Sequence, residues 1–146
     1  STPPMCFSPD ICNYSKKGRA KIHELQKAVN PITLQKLMEH PIQGQSTELN
    51  DNRISLYVAQ RGKCAICKEP LLLGEMEVHH ITPKTSGGKD NYSNLALVTG
   101  DVHKLVHATD PVIIRKYLEK LKNCKLNMVK LNKFRLLAGN CKLEYR

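Results

Sequence analysis

The chain predicts a small α+β fold, with two short strands and a helix at its centre and further helices on both sides. Residues 77–81 and 95–98 are short runs rich in aliphatic and β-branched side chains, parted by a loop that holds Pro83 and Gly87-Gly88. Asp101 then stands where it can cap a helix carrying His103, Leu105, Val106 and His107. Asp110-Pro111 is a strong helix start, with an acidic cap and proline at the first helical position.

The remaining elements follow from the same signals. Ser15 is placed to cap a helix over 16–28, with Ala20, Ile22, Leu25 and Ala28 at helical spacing. Its first turn holds Lys16, Lys17 and Arg19, which oppose the helix dipole and therefore read as groups kept for an anionic partner. Pro31 ends that helix, and a short one is expected over 32–39. The polar, turn-rich segment 42–50 marks a boundary. Asn50 or Asp51 is the expected cap of a helix over 53–61 that turns Ile54, Tyr57 and Val58 to one side, and Gly62 ends it. The helix opened by Pro111 is expected to reach Lys122 and to bury Ile113, Ile114, Tyr117, Leu118 and Leu121. A last helix is expected from Asn127 to Gly139, its apolar residues being chiefly Val129, Leu131, Phe134, Leu136 and Leu137. We divide the chain accordingly into a basic helical region at 1–49, a core at 50–110 and a basic helical extension at 111–146.

The 146 residues carry a formal net charge of +10. From residue 111 onward ten Lys and Arg, Lys116 and Lys120 among them, face two acids, Glu119 and Glu144. A basic chain with a more basic end points to a polyanion, because each neutralised phosphate releases counterions. The competing reading is a solubilising surface. Five Tyr, two Phe and no Trp offer no stacking platform, so duplex is expected over single strand. There is no run of about eighteen apolar residues, which excludes a spanning helix. Six cysteines are too few for a disulfide scaffold, so reduced thiols and a cytoplasmic setting (bacterial cytosol or nucleoid) are expected. The first residues lack both a secretory pattern and an initiator Met, and a fragment of a longer protein is the expectation.

The chemistry concentrates between Glu77 and His107. His103 and His107 are four apart and share one helix face, where two imidazoles can hold one divalent ion. His79 or His80 can supply a third ligand from a strand, and the other is then free as a base. Adjacent strand residues point to opposite faces, so the strand must bend or end near residues 81–83 if both are to serve one site. An imidazole base suits neutral pH. Imidazole ligands favour zinc, nickel or manganese over magnesium, although the catalytic metal need not be the tightest binder.

The span 78–107 resembles the HNH endonuclease motif of the ββα-metal (His-Me finger) nucleases. The resemblance implies that His79 is the first metal ligand and His80 the general base. It implies that Asn94 orients the loop carrying the base, and that His103 and His107 complete a site for one divalent ion (Zn, Ni, Mn or Mg). Lys84 and Lys104 are weaker candidates for phosphate contacts, as are Lys16, Lys17, Arg19, Lys116 and Lys120 for the duplex backbone. Residues 13–23, 52–64 and 102–109 further resemble the C-terminal part of group II intron-encoded proteins. That implies double-stranded DNA as partner, with intron RNA and a reverse transcriptase portion if the chain is a fragment. Many such nucleases hold a structural zinc with two Cys-x-x-Cys pairs. Here Cys64 and Cys67 keep the first pair, while the second falls at Thr99 and Val102, which cannot bind zinc. Cys124 or Cys141 would have to complete a zinc site, and buried free thiols are the simpler expectation.

The reading that results is a metal-dependent DNA endonuclease. The alternatives are a free-standing homing, restriction or phage enzyme of the same type, and a binding module whose metal is purely structural. An unligated His80 argues against the last, since a structural site has no use for a base. A disulfide- or zinc-held adaptor is the weakest alternative.

Overall fold

The computed structural model describes residues 29–144. The helix expected over 16–28, with Lys16, Lys17 and Arg19, lies outside them. Helix α1 spans Pro31–Glu39, α2 Thr47–Ala59, α3 Gly100–His107, α4 Pro111–Lys120 and α5 Met128–Leu137; strands β1 (Met76–His80) and β2 (Leu95–Thr99) precede α3. The fold is α+β, a ββα centre flanked by helices on both sides. No described helix is long and apolar enough to cross a membrane.

The strands pair antiparallel, with His79 opposite Ala96 and His80 opposite Leu95. A two-stranded sheet is marginal in water unless a face is packed. Here Leu95, Ala96, Leu97 and Val98 are all buried, so β2 is covered on both faces. Its outer edge is also closed. The Gln60 side chain accepts from Leu97 N (3.0 Å) and donates to Leu97 O (2.9 Å). Ala65 N donates to the same carbonyl at 3.0 Å. The core runs from Leu37, Leu49 and Val58 through Ile66 and Leu97 to Leu105, Leu131 and Phe134. Each such side chain contributes about 1.5–3 kcal/mol by leaving water.

Several helix starts agree with the sequence. Asp110 accepts from Val112 N at 2.8 Å with Pro111 behind it, and Asn127 accepts from Lys130 N at 3.1 Å. Others differ. Helix α2 is capped by Ser46, which accepts from Leu49 N at 3.0 Å, and not by Asn50 or Asp51. Asn50 is engaged elsewhere, accepting from Ile42 N (2.7 Å) and donating to Ile42 O (3.2 Å), which pins the preceding loop. Helix α3 is capped by Thr99, which accepts from Val102 N, while Asp101 lies in the first turn and favours the dipole without capping. Pro31 opens α1 behind an Asn30 cap.

Helix α4 ends at Lys120, and Ile113 stays 39% exposed. Ile114, Tyr117, Leu118 and Leu121 make the inward stripe, and Ile113 lies about a quarter-turn from its centre. Helix α5 buries Leu131 and Phe134 but leaves Val129, Leu136 and Leu137 exposed.

Arg135 is almost wholly buried. Its Nη1 donates to Leu105 O (2.6 Å) and Ala108 O (2.8 Å) and more weakly to Val106 O (3.4 Å); Nε donates to Cys141 O (2.8 Å). Asn140 donates to Val106 O at 2.9 Å. Together they satisfy carbonyls that the end of α3 would otherwise leave bare. Arg135→Met should therefore cost about 2–4 kcal/mol, because buried carbonyls lose charged donors. Arg135→Lys should recover less than half of that, since an ammonium cannot reproduce the fork. Urea unfolding monitored by circular dichroism measures both.

Candidate functional site

Three histidines meet where β1 faces α3. One ring nitrogen each from His79, His103 and His107 lies within 4.8 Å of the other two, and among the described residues this is the one His, Cys, Asp or Glu group that gathers three such atoms. Ring centroids lie 5.3 Å apart for His79 and His103, and 4.8 Å for His103 and His107. Helical spacing brings the second pair together, and antiparallel pairing with β2, which leads into α3, brings His79 to them.

His79 is 1% exposed, and neither of its ring nitrogens has a hydrogen-bond partner among the described residues. Burying an unsatisfied polar group costs about 1–3 kcal/mol. Such a cost in the middle of three histidines that could hold a metal ion fits that ion as the missing partner. Burial, with the neighbouring His103, His107 and His80, pushes the His79 pKa down to about 3, which keeps the ring in the neutral form that a metal needs. Burial lowers His107 as well, and His103 and Arg135 add to it.

Glu77 Oε1 lies 3.1 Å from His103 Nδ1. In that contact His103 Nδ1 carries the proton and donates it to the carboxylate, which leaves His103 Nε2 facing His107 Nε2, 3.2 Å away. A ligand histidine held through its other nitrogen by a carboxylate is a common supporting arrangement at metal centres. Phe134 packs against His79 with centroids 4.9 Å apart, so α5 forms the apolar wall of the cluster.

His80 is not part of the cluster. It is the last residue of β1, partly buried, and its Nε2 lies 2.8 Å from Asp90 Oδ1. The strand ends there, just before residues 81–83, where the sequence predicts an end or a bend. The loop from Ile81 to Asn94 is closed by Asn94. Its side chain accepts from Thr82 N (2.8 Å) and donates to Thr82 O (3.0 Å) and Lys89 O (2.9 Å). Gly88 is needed at this closure, because a Cβ there would stand 1.8 Å from Thr82 O.

Lys84 Nζ lies 3.4 Å from Asp90 Oδ1 and is 55% exposed. Lys104 is exposed on α3. Lys116 and Lys120, both exposed on α4, approach the Tyr117 ring at 5.6 and 5.0 Å. Cys64 and Cys67 are buried free thiols on one turn. A hydrogen bond from Cys67 pulls the Cys64 thiol down, and the same bond pushes Cys67 up. Thr99 stands 4.0 Å from Cys67 Sγ, its hydroxyl already capping α3.

Residues 64–108 match the family model for HNH endonucleases. The HNH match covers both strands, the loop and α3, and therefore all the histidines above. No curated protein and no solved structure matches the chain. Sequence reasoning passed over Glu77, Asp90, Phe134 and Arg135. Asp90 stands four residues before Asn94 and Glu77 two before His79, so both were visible as acids close to the motif. Phe134 and Arg135 lie outside the HNH segment, and nothing local marks them.

With metal removed by a chelator, the folded state should lose stability as pH falls from 6.5 toward about 3, because the unfolded His79 takes up a proton that the buried ring refuses. The contribution is fully present above the ordinary imidazole value and declines below it, by up to about 1.4 kcal/mol per pH unit. His79→Gln should flatten that part of the profile. Urea midpoints at pH 7, 5.5 and 4, for parent and variant, measure it.

Proposed function

We propose that this chain carries a metal-dependent DNA nuclease centre that hydrolyses a phosphodiester of double-stranded DNA. The observation that carries the reading is the buried His79 ring, without a hydrogen-bond partner among the described residues, beside His103 and His107 in the region of the HNH match. His79, His103 and His107 would hold one divalent ion, of zinc, nickel, manganese or magnesium. When bound, such an ion supplies electrophilic stabilisation of negative charge on phosphate oxygens.

The chain's own groups do the rest. His80, outside the ligand cluster, takes a proton from water as general base. The water oxygen bonds to phosphorus, the bond from phosphorus to the 3′ oxygen breaks, and the leaving oxygen takes up a proton from solvent. Asn94 fixes the loop that follows His80, which limits the swing of the base. Lys84 and Lys104, both exposed, are read as phosphate contacts near the motif. Lys116 and Lys120 on α4 and the basic residues at 16–19 are read as more distant contacts to the duplex backbone. In this reading residues 50–110 form the nuclease core, 1–49 and 111–146 the basic flanks, and Cys64 and Cys67 stay thiols.

The resemblance of residues 13–23, 52–64 and 102–109 to group II intron-encoded proteins supports a finer reading, in which the centre cuts the second strand at an intron insertion site. Intron RNA and a reverse transcriptase portion would then be its partners.

A plasmid-nicking assay tests the function. The parent should convert supercoiled to open-circle DNA when magnesium, manganese, nickel or zinc is added after EDTA. His80→Ala should retain metal binding and lose at least about a hundredfold in rate, within the range for a lost general base. His103→Ala should lose both metal affinity, read by calorimetry, and cleavage. Cleavage by His80→Ala at the parent rate would remove the base assignment.

A further inference from the structure

We propose that Asp90 is the positioning residue of the general base, fixing the tautomer of His80, and that Ser46, the cap of helix α2, holds Asp90 in place. The inference rests on the reading of His80 as the base and adds to the centre two residues that the motif does not name.

His80 Nε2 and Asp90 Oδ1 are 2.8 Å apart. The Ser46 hydroxyl donates to Asp90 Oδ2 at 2.6 Å, and Lys84 Nζ stands 3.4 Å from Oδ1. Asn52, on α2, donates to the Asp90 backbone carbonyl at 2.8 Å. The Asp90 side chain is 12% exposed. The Ser46, His80 and Lys84 contacts hold its carboxyl down at about 2, so it is an ionised acceptor at any working pH.

An ionised carboxylate accepts and cannot donate, so the proton between the two groups belongs to His80 Nε2. The lone pair is then on Nδ1, and among the described residues the His80 ring makes no other hydrogen bond. Water can pass its proton only to that nitrogen. Without Asp90 a neutral imidazole would divide between two tautomers and turn about its χ2 bond, and only part of the population would be competent. The carboxylate also stabilises the imidazolium that forms when the proton arrives.

The geometry has a further meaning for the limits of the catalytic unit. Ser46 caps α2 and binds Asp90 with one hydroxyl, so it couples the start of that helix to the base. Ser46 and Asn52 both precede the segment 64–108 that matches the HNH model. A chain cut to the matched segment would keep His79, His80, His103 and His107 and lose the support of one of them.

The test uses the full chain with 15N-labelled histidine. Long-range proton–nitrogen correlation spectra should show His80 as the Nε2–H tautomer in the parent and as a mixture in Asp90→Asn. In steady-state nicking, Asp90→Asn should lose about ten- to a hundredfold in kcat with KM for DNA and metal affinity unchanged. Ser46→Ala should lose a few-fold in the same direction, and Asp90→Glu should recover part of the loss in Asp90→Asn. A merely structural role would instead lower thermal stability and metal affinity together, with the tautomer unchanged. Parent-like kcat and an unchanged tautomer in Asp90→Asn overturn the proposal, while an inactive His80→Ala in the same assay leaves the base reading standing. Should the parent nick no DNA, the function reading fails and the spectra alone decide the tautomer claim.

Discussion

The guanidinium of Arg135 beneath the end of α3 is the interaction on which the remainder of the centre depends. An eight-residue helix does not hold its shape alone in water. Helix α3 carries two of the three clustered histidines, and its final carbonyls are gathered by one buried side chain from another helix. Phe134, the neighbour of Arg135, lies against His79. Two consecutive residues of α5 thus fix both halves of the cluster, one through hydrogen bonds to the helix and the other through contact with the strand residue. The C-terminal helix is part of the centre's support, although it lies beyond the HNH match.

The same arrangement accounts for a buried imidazole with no hydrogen bond to any described residue. The strand register puts His79 inward, opposite the small Ala96, and Phe134 closes the space behind it. A ring so placed gains packing but loses water at both nitrogens. Cores carry such a deficit where a ligand removes it. His80 meets the opposite situation one residue later, with a carboxylate for its Nε2. The two adjacent histidines are separated in chemistry by the alternation of the strand and by its end.

Much of this was legible in the sequence because it is local. The spacing of His103 and His107 is a helical repeat, Asp110-Pro111 and Asn127 are sound starts, and the two strands stand out from their turn-rich connection. Capping was legible less often, because it is a competition. Ser46 prevails over Asn50 since the Asn50 amide is already engaged with Ile42, and Thr99 prevails over Asp101 at the end of β2. Asp90 and Arg135 gain their meaning from contacts across 10 to 44 and 27 to 30 positions, and no window of sequence encodes those. Thr99 shows the converse. It takes the place of a thiolate of the second cysteine pair, and its hydroxyl serves the helix cap instead.

The Gln60 side chain has a consequence for how copies of the protein meet one another. An exposed strand edge invites a strand from a second molecule, and a two-stranded sheet has two such edges. On the β2 side the donor and acceptor of Leu97 are already taken by a side-chain amide that mimics a strand backbone. The amide cannot pass the pattern on, so the ladder stops there. At Leu97, therefore, a strand from a second copy finds no free backbone group on the β2 edge with which to extend the sheet.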